Sequence, residues 1–467
     1  MQGEYRGDFT RDTFYQANHF CRVLMQQGRV QLDADWNEQT AIILHLLRSL
    51  TRDIIGQHGG PNPPAGSATP GGFAIGTVVN ERKSLADLNL APGHYYVDGI
   101  LCEIEAPTNP NAAGVTYLTQ PDFPALMQPD STRPPALPNL DGNALVYLDV
   151  WERHLANVQQ ELIREVALGG PDTASRSQVV WQVKIQPTLP DGLAWPNAKL
   201  KLSDSQWQNW INVWQPANRG WLKAQIQPQP MSTSPCVISP QSAYRGTENQ
   251  LYRVEIHTGG AVAAPPTFKW SRENGSVVFP ILKLATSAGQ TTVTLANLGR
   301  DERLSLKNND WVEVVDDIYA RSGQVDSLLQ VTDIDAANQV VTLNGASGIV
   351  VGQPPTTHPI LRRWDGTGQV AESSSDWLAL EDGIQIQFQP PAAGASATQY
   401  RSGDYWLIPA RVATGNIEWP QQTDSQGKPA PAALPPHGVE HHYAPLAVIS
   451  GAGAVADLRR TYDWLAK

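Results

Sequence analysis

Glycine and proline divide this chain into short segments. They account for 38 and 37 of its 467 residues. Proline removes a backbone hydrogen-bond donor and glycine weakens regular elements, so long helices and long central strands are disfavoured between them. Short runs that alternate apolar and polar residues fill the intervals and predict strands with one face on a core. We therefore predict a mainly β protein with an N-terminal helical segment and several small antiparallel β-sandwich or β-barrel modules.

The pattern of breaks divides the sequence into six regions. They are an N-terminal arm with helices at 1–56, a Gly/Pro-rich linker at 57–72, a first β-region at 73–189, an insertion with a tryptophan-rich helix at 190–232, a second β-region with a hairpin and a small barrel at 233–357, and a C-terminal β-region at 358–467. Strands and helices do not alternate regularly along the chain, which argues against a doubly wound enzyme fold.

One long amphipathic helix is predicted near the N-terminus. Ile43, Leu47, Leu50 and Ile54 recur at helical spacing and form an apolar stripe. Gly56 follows where a C-terminal glycine cap is expected.

The acidic cluster before this stripe has two interpretations. Asp33, Asp35 and Asn37 match the start of an EF-hand calcium loop, but the sixth and twelfth positions hold Glu38 and Leu44 instead of glycine and a carboxylate. Asp35 followed three residues later by Glu38 also predicts an N-cap with a capping box. The missing turn and ligand favour the start of a helix over a calcium site.

Two stretches of the second β-region carry strong local patterns. Asn274-Gly275, between two alternating runs, predicts a β-hairpin. In "LYRVEIH", alternation places Arg253, Glu255 and His257 on one strand face. That face is either an acid/base or ligand-binding ridge or a polar outer face braced by cross-strand pairs, and the second interpretation is favoured because such faces are common in antiparallel sheets.

The insertion contains a tryptophan stripe. Ser203 and Gln206 predict a capping box, and Trp207, Trp210 and Trp214 then fall on one face of a helix. A membrane-surface helix would carry Lys or Arg on its polar face, whereas this one carries Gln and Asn. We expect the stripe to lie against this chain or a neighbouring subunit.

The segment "YLDVWERH" carries ionisable residues but no convergent pair. Alternation separates Asp149 and Trp151 from Glu152 and His154, so local spacing does not give the close carboxylate pair of a retaining glycosidase. The adjacent Asp316 and Asp317 are expected to mark the end of a strand.

The segment "PHGVEHHY" could supply a metal site from His437, Glu440, His441 and His442. The prolines and glycine around it argue against helical ligand spacing, so hydrogen-bonded loop histidines are favoured. A P-loop, a dinucleotide fingerprint and a nucleophile elbow are all missing from the sequence. We predict no catalytic residues, no cofactor, no metal and no enzymatic activity.

Charge and cysteine usage narrow the class of protein. The net charge of -11 argues against a nucleic-acid partner. Cys21, Cys102 and Cys236 lie far apart, as in a protein of a reducing compartment. The polar N-terminus and the lack of long apolar runs predict no signal peptide and no transmembrane helix, hence assembly in the cytoplasm.

Five long blocks occur in a recognisable order. They are "GDFTRDTF…HFCRVLMQQGRVQLDADWNEQ", "YYVDGILCE", "VYLDVWERH…IREVALGGPDTASR…VVWQVK", "YRGTENQLYRVEIHTGG…PTFKWSRENGSV" and "GDYWLIPARVATGNIEWP". Together they resemble an uncharacterised bacterial family of unknown function that is encoded with phage-tail-like contractile injection systems. The resemblance covers most of the chain, and the region 190–232 departs from it most.

The resemblance implies a structural subunit of an injection particle, at or around its baseplate. The implied partners are other particle subunits and further copies of this chain, while direct membrane contact stays open. A glycan-binding or glycan-cleaving spike is the alternative, and it predicts an exposed tryptophan platform beside a carboxylate pair.

The N-terminal arm, residues 1–16, and the predicted helix at 36–55 are the candidate contacts. Tyr5, Phe9 and Phe14 are spaced among charged residues and suit a segment that lies on a partner. With the tryptophan stripe at Trp207, Trp210 and Trp214, they are the predicted interface residues. Deleting residues 1–16 is expected to leave the β-regions folded.

Overall fold

The computed structural model describes residues 3–63, 70–81, 84–109, 112–123, 136–140, 142–170, 172–187, 189, 204–215, 218–228, 243–261, 265–352, 357–392, 394–424 and 426–463. Its helices are α1 (Asp33–Ile55), α2 (Asp204–Trp214) and α3 (Asp317–Ser322). Short 3-10 helical turns lie at Gln16–Asn18, Tyr117–Thr119, Glu161–Ile163 and Val166–Leu168.

Strands make up most of the regular structure. In the first half of the chain they are β1 (His58–Pro61), β2 (Ile75–Val79), β3 (Leu85–Leu90), β4 (Gly93–Val97), β5 (Ile100–Ile104), β6 (Asn143–Leu155), β7 (Arg176–Gln186) and β8 (Trp221–Ile226). Next come β9 (Gln250–Thr258), β10 (Gly260–Ala261), β11 (Thr267–Ser271), β12 (Val278–Ser287), β13 (Gln290–Leu295), β14 (Trp311–Val315), β15 (Leu328–Asp335), β16 (Val340–Asn344), β17 (Ile360–Trp364) and β18 (Gly366–Gln369). The last are β19 (Leu378–Ala379), β20 (Ile384–Gln389), β21 (Gln399–Tyr400), β22 (Tyr405–Arg411), β23 (Asn416–Ile417), β24 (Gln421–Thr423), β25 (Pro429–Pro431), β26 (His442–Ser450), β27 (Val455–Asp457) and β28 (Thr461–Tyr462).

The predicted fold class is confirmed, since nearly all strand pairs are antiparallel and six strands close a barrel. In the first module, the sheet β28-β1-β4-β5 shares a core with the sheet β27-β26-β6-β7. Val97 and Cys102 from one sheet and Val146 and Val183 from the other are fully or almost fully buried in that core. Inward alternation from two sheets is the usual way such a core forms.

The second module pairs the sheet β18-β11-β9-β22-β23 with the sheet β19-β20-β8. Tyr252, Val254 and Ile256 of β9 point into this core, opposite Phe388 of β20. The third module is the closed barrel β12-β13-β16-β15-β14-β17, filled mainly by aliphatic side chains together with Phe279.

The sheets do not follow the six contiguous regions of the sequence. The C-terminal region sends β26 to β6, β22 to β9 and β20 to β8, so its strands enter both sandwiches. The barrel strand β17 also lies beyond the range expected for the second β-region. Strand partners are set by long-range burial, which local patterns do not report.

The turn at Asn274-Gly275 forms, but the predicted hairpin was wrong. Both residues have positive φ, 53° and 65°, as the dipeptide suggested. The flanking strands separate, because β11 pairs with β9 and β18 while β12 pairs with β13 and β17. The Asn274 side-chain amide instead donates to the carbonyls of Tyr5 and Gly7, at 3.0 and 2.9 Å. The turn links a sheet to the barrel and holds the backbone of residues 5–7.

Helix α1 forms where predicted but begins two residues before Asp35. Its N-cap is Leu32, which makes no side-chain cap bond, so the Asp35 capping box was wrong. Asp33 accepts a 2.8 Å bond from the backbone N–H of Thr10, and Glu38 accepts a 2.7 Å bond from the Thr13 hydroxyl. The acidic cluster therefore binds the segment around Thr10 and Thr13, which precedes the helix in the chain.

The C-terminal end of α1 agrees with the prediction. Gly56 is the cap, with φ 91° and its N–H bonded to the carbonyl of Arg52. Near this end the helix lies close against the turn at Gly99, where a Cβ would collide with the Arg48 backbone. In the described part of the chain, no helix is long and apolar enough to cross a membrane.

Candidate assembly site and adjoining cleft

The N-terminal arm, residues 3–14, lies across the junction of the three modules. The backbone of Gly3 forms a parallel bridge with Glu152 on β6. The hydroxyl of Tyr405 on β22 donates a 2.7 Å bond to the Gly3 carbonyl. The arm thus joins the first sandwich to the second.

The aromatic residues predicted for this arm are half-buried on the chain itself. Tyr5 and Phe9 both contact the ring of His154 edge-on, with centroids 6.2 and 6.1 Å apart. Phe14 contacts the ring of His45 on α1 at 5.8 Å. These contacts use faces of the three side chains that were predicted to meet a partner.

A buried carboxylate lies beneath the arm. Glu255 on β9 is 1% exposed and is bonded to three cations. Arg6 of the arm approaches it at 2.8 Å, Arg253 of the same strand at 2.6 Å and Lys269 of the neighbouring β11 at 3.3 Å. Burial alone would raise the pKa of the Glu255 carboxyl, but these three cations hold it well below its usual range.

The same network continues into the barrel. Lys269 bonds Glu313 of β14 at 2.6 Å, and the indole N–H of Trp364 on β17 donates to Glu313 at 3.1 Å. The Lys269 ammonium also lies 4.5 Å from the centre of the Trp364 ring. One lysine therefore connects the second sandwich to the barrel.

These contacts revise the interpretation of "LYRVEIH". Arg253, Glu255 and His257 share a face and are braced by a cross-strand pair, Glu255 opposite Lys269, as favoured. The face is not outward, since all three are at most 6% exposed. The arm and the barrel cover it, and the sequence of β9 alone gives no sign of either.

A small pocket of about 30 Å³ adjoins the network. Glu4, Arg6, His154 and Arg362 are among the residues that line it. His154 Nε2 is buried, and no described residue bonds to it. Burial lowers the pKa of His154 to about 4, with opposing attraction from Glu4. Burial and the nearby Arg6 lower the pKa of Arg362 to about 10.

The two adjacent aspartates lie just after β14, as expected for the end of a strand. Asp316 caps α3 by accepting a 2.9 Å bond from the backbone N–H of Tyr319. Asp317 pairs with the buried Arg153 of β6 and bonds His358 Nδ1 at 2.7 Å. The Asp317–Arg153 pair holds the barrel to the first sandwich.

Helix α2 forms where the tryptophan stripe predicted a helix, and it lies on the outer face of the β26-β6 pair. Trp207 is 1% exposed, and its indole donates a 3.2 Å bond to the Tyr443 carbonyl. Trp210 and Trp214 are half-buried around Tyr147. The stripe therefore lies against its own chain, while the predicted cap at Ser203 falls outside the described residues.

Two histidines of the "PHGVEHHY" segment are each held by a carboxylate. His441 Nδ1 lies 2.7 Å from Asp149, whose second oxygen binds Lys184. The Trp151 ring lies 4.9 Å from the His441 ring, so Asp149 and Trp151 share a face as predicted. Burial opposes the charged form of Asp149, but His441 and Lys184 lower the pKa of its carboxyl.

The neighbouring His442 is oriented in the same way, with Nδ1 2.9 Å from Asp98. Both histidines line a cleft of about 380 Å³. The cleft is also lined by Arg52, Gln57, Gln208, Gln215, Arg219, Arg401, Glu440 and Tyr443. Gln57 Oε1 is buried, and no described residue bonds to it. Within the described residues, no three His, Cys, Asp or Glu side chains are arranged to hold a metal ion.

Helix α1 presents its apolar side to solvent. The exposed side chains are Trp36 at 63%, Ile43 at 48%, Leu44 at 39%, Leu46 at 52%, Leu47 at 55%, Leu50 at 58% and Ile54 at 65%. The side that faces the protein is largely polar, and Arg48 there binds Glu152 at 2.9 Å. Of the residues of α1, only Ala34 and Ile42 are buried. Within the described residues, the hydrophobic cores contain no residue of α1.

The segment before the helix, residues 15–32, is exposed along nearly its whole length. Its apolar side chains are Tyr15 at 67%, Phe20 at 60%, Leu24 at 69%, Met25 at 49%, Val30 at 83% and Leu32 at 40% exposed. Together with the outer side of α1 they form a continuous stretch of sequence rich in exposed apolar groups. Surfaces of this kind mark interaction sites in globular proteins.

These features define a class of protein: a multi-module β protein tied together by buried ion pairs, with an exposed apolar helix and a polar cleft. The chain belongs to a family of unknown function, DUF6519, whose model matches residues 5–205 and 211–464. No curated protein and no solved structure matches the chain. The family has no assigned activity and so indicates neither catalysis nor its absence.

The first testable consequence concerns Arg6. Arg6→Met keeps most of the side-chain volume but removes a cation from buried Glu255, and we expect a loss of about 3 kcal/mol in the free energy of unfolding. The measurement is denaturant unfolding followed by tryptophan fluorescence. Arg11→Met is the control, because Arg11 pairs with Glu418 while both are 38% exposed, and such pairs contribute about 1 kcal/mol or less.

If Arg6→Met and Arg11→Met lose equally little free energy of unfolding, the pairing of Arg6 with Glu255 does not stabilise the junction. The same contacts oppose the expectation that residues 1–16 can be removed without effect on the β-regions. That deletion takes Arg6 away from Glu255 and the carbonyls of Tyr5 and Gly7 away from Asn274.

The second consequence is an acid-sensitive junction. The folded-state pKa of His154 is about 4, below its ordinary value of 6.5. The unfolded chain binds this proton more tightly, so this contribution to stability is complete above pH 6.5 and is lost as the pH falls to 4. We expect His154→Gln to reduce the loss over that window by about 3 kcal/mol. Unfolding free energies at several pH values measure it.

His94→Gln provides the control for that experiment, because His94 is exposed and pairs with an exposed glutamate. It should leave the pH profile unchanged. If the wild type and His154→Gln lose stability in parallel between pH 6.5 and 4, His154 is not the sensitive group.

Proposed function

We propose that this chain is a structural subunit of a phage-tail-like contractile injection system, at or around the baseplate, and that it acts through protein–protein assembly. The observation that carries the proposal is the exposed apolar surface of residues 15–32 and the outer side of α1. A chain that folds alone gains nothing from directing this many apolar groups to water, whereas a subunit buries them on its neighbours.

The construction of α1 supports the same role. Polar contacts hold the helix to the protein, among them Arg48 with Glu152 and Glu38 with Thr13. The apolar residues are thereby left for another surface. Aromatic residues and methionine are enriched at interface centres, and the segment 15–32 supplies Tyr15, Phe20 and Met25.

The resemblance of the five sequence blocks supports the injection particle as the setting. The buried junction adds a mechanical argument, since a subunit of a particle that contracts must keep its modules together under load. Glu255, Lys269 and Glu313 link the arm, the second sandwich and the barrel by ion pairs at 2.6 to 3.3 Å.

The proposal predicts that the segment 15–32 is needed for incorporation into the particle. Phe20→Glu with Leu24→Glu should remove the chain from purified particles, because two buried carboxylates would face an apolar partner surface. Quantitative mass spectrometry of particles from the variant strain measures the stoichiometry. Both side chains are at least 60% exposed, so folding should be retained.

Leu162→Glu is the matched control, since Leu162 is 90% exposed but lies in a different part of the chain. It should enter particles at the normal ratio. Normal incorporation of the double variant would exclude the segment as the contact. Particles that never contain the wild-type chain would overturn the structural role.

The cleft supports a second candidate function, the binding of a saccharide. With Nδ1 of His441 and His442 engaged by carboxylates, Nε2 of each ring is the nitrogen left for a ligand. Gln57, Gln208 and Gln215 also line the cleft, and their side-chain amides carry both donors and acceptors. The hydroxyl groups of a saccharide both donate and accept hydrogen bonds, so they suit a cleft lined by donors and acceptors. Its volume of about 380 Å³ falls in the range of ligand sites.

The cleft differs from the platform that a glycan-binding spike was expected to show. Tyr443 is the aromatic residue on its wall, and the exposed Trp36 and Trp221 do not line it. Calorimetric titration with soluble oligomers of N-acetylglucosamine, glucose and galactose tests the candidate. Binding should weaken in His442→Gln and persist in His94→Gln. Undetectable binding of all three oligomers at millimolar concentration would exclude a saccharide role.

A further inference from the structure

Half of the exposed residues of α1 lie at the spacing of a seven-residue repeat. Six outward positions are separated alternately by four and three residues: Trp36, Thr40, Ile43, Leu47, Leu50 and Ile54. All six are exposed in the folded chain. We call this row the α1 seam. Alternate spacing of four and three is the a/d pattern of a coiled coil, in which side chains of one helix insert between those of another.

This spacing specifies the shape of the partner. A seven-residue repeat places its residues along a narrow row, which matches the similar row of a second helix better than it matches a flat sheet. Leu44 and Leu46 flank the row and widen its centre. The seam therefore calls for an apolar helix about as long as α1.

We propose that this helix is α1 of a second copy of the chain, paired antiparallel about a two-fold axis near position 45. The seam is symmetric about that position. Trp36 then meets Ile54 of the second copy, Thr40 meets Leu50, and Ile43 meets Leu47. All six positions are used in both copies, as a two-fold interface requires. The pairing rests on the assembly role proposed above, because it uses the same surface.

Charge favours a second copy over a different helix. The flanking positions that usually select partners by charge hold Asn37, Gln39, Thr51 and Asp53, of which only Asp53 is charged. In the antiparallel register, Asp53 lies beside Gln39 of the second copy, so no like charges meet. Leu44 and Leu46 each approach their own counterparts close to the axis.

Charge also selects the antiparallel direction. A parallel pair would bring Asp33, at the position one repeat before Thr40, against Asp33 of the second copy. It would also align the two helix dipoles. In the antiparallel pair Asp33 lies beyond the end of the partner helix, and the dipoles oppose.

Sedimentation of the purified chain tests the pairing. We expect the mass of two chains at micromolar concentration and the mass of one chain for Leu47→Glu. Leu162→Glu, also exposed but off the seam, should keep two chains. Leu47 is 55% exposed, so the variant should melt at the same temperature as the wild type when both are monomeric. A wild-type chain that stays monomeric up to 100 micromolar, or a Leu47→Glu chain that still pairs, overturns the proposal.

Single cysteines test the direction, in a background with Cys21→Ser and Cys236→Ser. The two copies of residue 46 should lie about 3 Å apart along the axis, while those of residue 54 lie about 27 Å apart. Oxidation should therefore link Leu46→Cys chains and leave Ile54→Cys chains separate. Efficient linking of Ile54→Cys would show a parallel pair and overturn the antiparallel one.

The outcomes separate this inference from the proposed function. If the chain pairs in solution but is never found in particles, the pairing of α1 stands and the structural role is rejected. If the chain is monomeric in solution and the Leu47→Glu variant enters particles as well as the wild type, the structural role stands and the pairing of α1 is rejected.

Discussion

The buried carboxylate of Glu255 is the interaction on which the arrangement of the modules depends. An anion with 1% exposure is tolerated only with cations in contact, and the chain supplies them from three segments. Arg253 belongs to the same strand, Lys269 to the next, and Arg6 to the arm. Because Lys269 also neutralises Glu313 of the barrel, the charge requirement of one strand fixes the arm, the second sandwich and the barrel together.

The position of the arm then determines the position of α1. Once the arm has crossed the junction, Thr10 and Thr13 meet Asp33 and Glu38 at the start of the helix. Further along, Arg48 reaches Glu152, the strand residue that also pairs with Gly3. Each of these contacts uses a polar residue of the helix. The polar side is therefore turned inward, and the apolar side is left facing solvent.

Local patterns in the sequence predicted the features that depend on residues close together along the chain. Alternation identified the strands, and spacing identified α1 and α2, because both depend on neighbours along the chain. The partners of charged residues were missed, since Arg6 lies 249 positions from Glu255. The Asn274-Gly275 turn shows the difference between local and long-range effects. Its positive φ angles were predictable from two residues. The separation of β11 and β12 was not, because it depends on pairing with distant strands. Asp35 failed as a cap because the helix begins at Asp33, whose carboxylate accepts a bond from the distant Thr10.

An apolar stripe on a helix has the same sequence pattern whether it lines its own core or a partner's surface. The deciding fact is whether the cores are complete without it. Here strand residues fill most of the interiors of the two sandwiches and the barrel, and Trp207 with its neighbours covers the outer face of β6. The side chains of Ile43, Leu47 and Leu50 therefore have no interior left to enter within the described chain. Folding of a single chain does not require the seven-residue spacing on this surface, so the spacing is better explained by pairing with a second helix.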